Sequence, residues 1–268
     1  MRPQNMLDIL HGYLSTDPAF SDGTLLDEWV SEVVETGDHG FENGLLGLGW
    51  LICYLLQKNY IQGDVDEILT DVDDTIYKLA IKEVLESEYH VKTLLYFVTY
   101  YQQRLQYRTK THFYRSFTHF ECLKLLLEKL NLFMLREPLK DNEIIGQKID
   151  VILKYTFLLK AHIDEKLVEE ALYTTIEELN LFFGHTTPTL DQITKFHLAI
   201  LQYKNPHWEK KTKALLDSIK APGPNPSPWV SLIDNDIWKQ EHFIRSAQMD
   251  VTNKIFLFLA LTNVITES

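Results

Sequence analysis

Cysteine is scarce in this chain. Cys53 and Cys122 are all that its 268 positions contain, too few for a disulfide framework or a cysteine-rich zinc site. Each lies in an apolar run with helical spacing, which predicts two buried free thiols. Proline is missing between Pro18 and Pro138, so nothing in that stretch interrupts long helices. Basic residues are in deficit. With 26 Lys and Arg against 38 Asp and Glu, the net charge is -12, which argues against a general nucleic-acid binder with its usual basic surplus. Long hydrophobic runs are also lacking. The longest, 255–261, falls well short of the roughly 20 residues that a membrane helix needs. The N-terminal stretch, carrying Asp8 and His11, has no continuous apolar core of the kind a signal peptide shows. Together these absences predict a cytoplasmic protein.

What is present has helical periodicity almost throughout. Spacing predicts helices over about 5–14, from Thr24 to the Gly37-Asp-His-Gly40 turn, and from Glu42 or Asn43 to about Lys58. The next starts at Asp64, with Glu67 as its capping-box partner. Further helices are expected over about 89–106, 112–135, 141–159, 164–183, 189–203 and 208–219. Leu25, Leu26, Trp29, Val30, Val33 and Val34 form one inward stripe, and Ile68, Val72, Ile76, Leu79 and Val84 another. The acids Asp64, Asp66, Asp71, Asp73 and Asp74 read as a solvated helix face. Short connections between successive helices are the mark of antiparallel helical hairpins. A proline-rich linker at 221–228 precedes a last helical segment, 237–262, apolar enough to pack back on the body. The whole reads as a single all-α domain, 1–268.

Six of the eleven glycines fall between Gly37 and Gly63. Gly44, Gly47 and Gly49 sit in the first turns of a predicted helix, where each costs about 0.5–1 kcal/mol relative to alanine. Such glycines persist where a neighbouring helix or a ligand must approach the backbone closely. Nearby, His39, Glu42 and Asn43 are candidate ligand-binding residues at a helix N-terminus that could receive an anion, with Trp50 about two turns further on. They also read simply as a capping loop with Asn43 as the N-cap. The stretch 100–115 carries Arg104, Arg108, Lys110 and Arg115, no acid and many aromatics. It reads either as a groove for an anionic or extended ligand, with Arg104 and Arg108 as contacts, or as helix-end cations that suit the dipole.

Phe41-Glu-Asn-Gly-Leu-Leu-Gly-Leu-Gly-Trp50, followed by Tyr54-Leu55, resembles a repeat of the lanthionine synthetase C-like family, most of all in its Bacteroidetes form. In that family glycine-rich turns open the inner helices of an α/α toroid. The resemblance, which covers about 38–76, therefore implies an all-α fold of antiparallel helical hairpins forming an α/α toroid-like barrel, complete or incomplete. The motif occurs once here, with room for only two short helices upstream, which implies a divergent and truncated member. The family's zinc ligands lie in Cys-His-Gly and Trp-Cys-Tyr-Gly motifs, and neither occurs in this sequence. His119 and Cys122 share a helix face but read as an ordinary pair in a leucine-rich helix. The expectation is thus no zinc, no other cofactor and no lanthionine chemistry. The protein reads as a non-catalytic or accessory member that binds a peptide or protein partner. Two alternatives remain: a carbohydrate-active hydrolase on an α/α toroid using paired carboxylates such as Asp38 and Glu42, or a plain helical scaffold.

Overall fold

No strand occurs among the described residues of the computed structural model, which are 5–14, 20, 23–106, 113–160, 165–203 and 205–219. They form eleven helices: α1 (Met6–Leu14), α2 (Thr24–Thr36), α3 (Leu45–Gln57), α4 (Val65–Ile68), α5 (Thr70–Leu85), α6 (Val91–Gln106), α7 (Phe113–Arg136), α8 (Asn142–Lys160), α9 (Glu165–Phe182), α10 (Leu190–Tyr203) and α11 (Pro206–Ile219). The all-α class is as the sequence predicts. Arg108, the proline-rich stretch 221–228 and the segment 237–262 lie outside the described residues. No helix among the described residues is long and apolar enough to cross a membrane. Two compact units divide between Leu126 and Leu127, within α7.

Helix boundaries follow local chemistry. Gly37 ends α2 in the left-handed conformation, φ 63°, and its N–H donates to the Val33 carbonyl, which is the glycine-terminated end that periodicity predicts. Asp64 caps α4 by accepting from the Asp66 and Glu67 N–H groups. Thr189 and Gln192 form a reciprocal capping box at α10: the Gln192 side chain accepts from the Thr189 N–H and the Thr189 hydroxyl from the Gln192 N–H. Asn43 is not the N-cap of α3. Gly44 takes that position, and no side chain caps it.

The first unit is organised around α3, in which every residue from Leu46 to Leu56 is buried. A helix apolar on all sides can only be interior, and α1, α2, α5 and α6 all pack on it. The glycines make this possible. A Cβ at Gly47 would lie 1.9 Å from the Phe41 carbonyl oxygen, and one at Gly49 would lie 2.5 Å from the Tyr100 ring. The 38–44 loop thus folds down on the first turn of α3, while α6 packs against the next. Phe41 is buried beside Trp50 and Tyr96, and Trp50 stacks on Tyr54 at 5.4 Å. Val34 and Ile68, both expected inward, face solvent. Leu26, Trp29 and Val33 already fill the inner side of α2, and a one-turn helix at α4 turns Ile68 outward.

In the second unit α10 packs on α8 and α11, and α8 also meets α9. Ile149, Ile152, Val168, Leu172, Ile176, Phe196, Ile200 and Trp208 form its core. Polar ties join its helices: Lys148 to Glu178 at 2.9 Å, Lys195 to Asp150 at 3.0 Å, and the Trp208 indole N–H to Glu177.

Candidate functional site

Asp73 is the centre of a buried ion cluster in the first unit. Asp73, Ile76 and Ala80 share the inner face of α5 at helical spacing, so a helix that buries Ile76 and Ala80 also buries the carboxylate. Asp66, seven residues earlier, is likewise buried. The expectation of a solvated acidic face is therefore corrected for these two residues. Asp71 and Asp74 do face solvent. From α6, Tyr100 and Arg104 point at Asp73 from successive turns; from α7, Arg115 and His119 do the same. Each pair is spaced i, i+4, the interval that places two side chains on one helical face.

Arg104 is the most heavily used donor. Its Nε donates to Asp73 Oδ1 at 3.0 Å, and its Nη2 donates to Asp73 Oδ2 at 2.8 Å and to Asp66 Oδ1 at 2.6 Å. This is the two-pronged arginine–carboxylate geometry, extended to a second carboxylate. The Tyr100 hydroxyl donates to Asp73 Oδ1. Arg115 Nη1 donates to Asp73 Oδ2 at 3.0 Å. His119 Nε2 stands 3.5 Å from the same oxygen without completing a hydrogen bond. Two arginines and two aspartates balance in formal charge, as a buried cluster requires.

The electrostatics fix the protonation states. Burial alone would raise the Asp73 carboxyl, but the His119 and Arg104 contacts outweigh it and hold the group well below the usual carboxylate range. Burial would lower Arg104, and the Asp73 charge and hydrogen bonds hold it higher still. Cys53 borders the cluster and donates to the Gln103 carbonyl at 3.4 Å. Burial pushes its thiol up to about 12 in spite of the nearby Arg104 charge. Burial also raises Cys122, against the opposing influence of the neighbouring Tyr101 hydroxyl. Both cysteines are free and buried, and neither is poised as a thiolate. No group of three or more His, Cys, Asp or Glu among the described residues is arranged to hold a metal ion. With Asp73 held low and Arg104 held high the two face each other as opposite charges, and together with Asp66 they bolt α4, α5 and α6 together.

The residues singled out from sequence fall in different places. His39, Glu42 and Asn43 are exposed on the loop before α3. There the Asp38 carboxylate accepts from the Gly40 N–H at 2.7 Å, and the Glu42 carbonyl accepts from the Met6 N–H at 3.0 Å. Trp50 is wholly buried. Arg104 is buried too, and carboxylates of the chain's own α4 and α5 hold it. Sequence reading missed Asp66, Asp73, Tyr100, Arg115 and His119 as one cluster. The available signal was spacing: two aspartates seven apart, then two i, i+4 pairs with cations on successive helices. One surface feature stands beside the cluster. At the start of α7, Phe113, Tyr114 and Phe117 are 73%, 84% and 54% exposed, an apolar concentration of the kind that marks interaction sites.

Comparison of the chain with family models, curated proteins and solved structures returns no match.

Proposed function

We propose that the protein acts by binding, without catalysis, and that the exposed aromatic turn Phe113–Tyr114–Phe117 meets a peptide or protein partner. The observation that carries this reading is the exposure of three large aromatic side chains within five residues of one helix. Aromatic side chains are enriched at protein interfaces and among the residues that carry their binding energy, and a contiguous exposed apolar patch marks an interaction site. The strongest charges nearby, Asp66, Asp73 and Arg104, are spent on one another, which favours binding over acid–base chemistry.

In the same reading the chain is an accessory lanthionine synthetase C-like protein of the cytoplasm, serving ribosomal peptide modification with no zinc. The α3 helix takes the part of an inner helix of an α/α toroid. Its support is the packing of Gly47 on the Phe41 carbonyl and of Gly49 on Tyr100, close approaches that an inner helix needs.

A photo-crosslinking residue in place of Tyr114, used in the native host, tests the binding reading. One peptide or protein should dominate the adducts, and Phe117→Ser, which removes an exposed ring, should abolish that adduct with the helical circular dichroism unchanged. Adducts spread over many abundant proteins and indifferent to Phe117→Ser would overturn it. One tightly bound zinc per chain in purified protein would overturn the non-catalytic part.

A further inference from the structure

The first two turns of α7 are attached to the unit in an unusual way. Among residues 113–118 none is buried: Phe113, Tyr114, Phe117 and Thr118 are exposed, and Arg115 and Ser116 are half-buried. The Phe113 ring packs on its neighbour Tyr114, and the Thr118 hydroxyl donates to the Tyr114 carbonyl one turn back. Both contacts stay within the arm. Burial begins at His119 and continues through Cys122, Leu123 and Leu126. The ion pair from Arg115 Nη1 to Asp73 Oδ2, at 3.0 Å, is therefore what ties these turns to α5.

We propose that residues 113–118 form a hinged arm, latched to the unit by the Arg115–Asp73 ion pair and pivoting at His119. Asp73 is suited to be the fixed half of such a latch. Arg104 holds it through both carboxylate oxygens and Tyr100 through one, so it stays neutralised and hydrogen-bonded when Arg115 leaves. Arg115 is suited to be the moving half. Its side chain is 26% exposed, against 1% for Arg104, so water takes over its charge on release. Opening breaks one partly solvated pair and the arm's own helical hydrogen bonds while uncovering little apolar surface, since none of residues 113–118 is fully buried, which places the arm towards the low end of the range of local opening energies. When it opens, the hydrogen bonds from amides 117–122 to the arm's carbonyls break, and Phe113, Tyr114 and Phe117 are released together. The latch is a property of the arm itself and holds whatever the aromatic face binds.

Amide hydrogen exchange on the full chain tests this. A helical N–H bonds the carbonyl four residues before it, so the amides at 117–122 report whether the carbonyls of the arm are held. Arg115→Gln should speed exchange at 117–122 by about tenfold or more, the effect of losing a hydrogen bond between charged groups, and leave α6 amides at 98–105 unchanged. Arg115→Lys should restore most of the protection. In the wild-type chain, salt at about 0.5 M should speed the same amides selectively, because screening weakens a partly exposed pair; this arm of the test needs no variant. Unchanged exchange at 117–122 in Arg115→Gln would overturn the latch. An equal increase across α6 and α7 would overturn it as well, because the pair would then support the whole unit.

Discussion

Replacing Gly47 with alanine should destabilise the protein, although alanine is the better helix former. In an open helix the exchange gains about 0.5–1 kcal/mol. Here the new Cβ would lie 1.9 Å from the Phe41 carbonyl oxygen and 2.9 Å from its carbon, with Met6 Sδ at 3.3 Å. The obstacle is backbone, so no rotamer change relieves it. The 38–44 loop must retreat, and with it Phe41, whose buried ring sits beside Trp50 and Tyr96. Inserting one methyl into such a place costs about 1–3 kcal/mol or more. The backbone contact puts this case at the upper end, for a net loss of about 2 kcal/mol after the propensity gain. Gly146 on α8 supplies the control, because a Cβ there would meet nothing within 4 Å. Gly146→Ala should stabilise by about 0.5–1 kcal/mol. Urea denaturation followed by circular dichroism gives both values. If the two units unfold in separate transitions, Gly47→Ala should move only the one that belongs to the first unit. A neutral or stabilised Gly47→Ala would refute the reasoning that Gly47 is kept for close approach.

Three further outcomes follow from the buried charges. Arg104→Ala should cost about 3–5 kcal/mol in denaturant unfolding, because it leaves two buried carboxylates without their main partner. A smaller loss than in Arg115→Ala would contradict the geometry. Asp73 has a folded-state value below its ordinary 3.8, so its stabilising contribution is complete above about pH 4 and fades as pH falls through the folded value. Stability measured from pH 7 downward should show wild type and Asp73→Asn converging in acid, and curves that stay parallel would count against the assignment. Lys154 in the second unit is buried, and burial lowers its amine from 10.5 to about 7. Between those values the unfolded chain binds the extra proton, so the wild-type penalty is full below pH 7 and vanishes towards pH 10. The stability of Lys154→Met relative to wild type should therefore rise as pH falls from about 10 to about 7; a difference that stays constant over that range would refute this.

Helix positions were legible because caps and breakers act within a few residues. Gly37, Asp64 and the Thr189–Gln192 box each fix an end through contacts that the local sequence spells out. The glycines of α3 were legible as a demand for close approach, but the identity of the intruder was not. The Phe41 carbonyl comes from the adjoining loop, whereas Tyr100 comes from a helix fifty residues away. The ion cluster was read wrongly for a related reason. An aspartate-rich helix is usually solvated, and what buries Asp73 is the arrival of Arg104 and Arg115, 31 and 42 residues later in the chain. No local rule couples those positions. The basic character of 100–115 was visible, yet its target was the chain's own acids, and spacing alone does not separate an internal partner from an external one.

The Asp73 cluster also bears on the order in which the molecule forms. Its groups come from α4, α5, α6 and α7, so its bonds close only when all four helices are in place and water has left. Desolvating charges early, before their partners arrive, would be unfavourable, which makes the cluster a late event on the folding route. Interactions absent from the transition state change the rate of unfolding and leave the rate of folding almost untouched. On this ordering Arg104→Ala should speed the unfolding of the first unit and leave its folding rate almost unchanged, which stopped-flow kinetics checks.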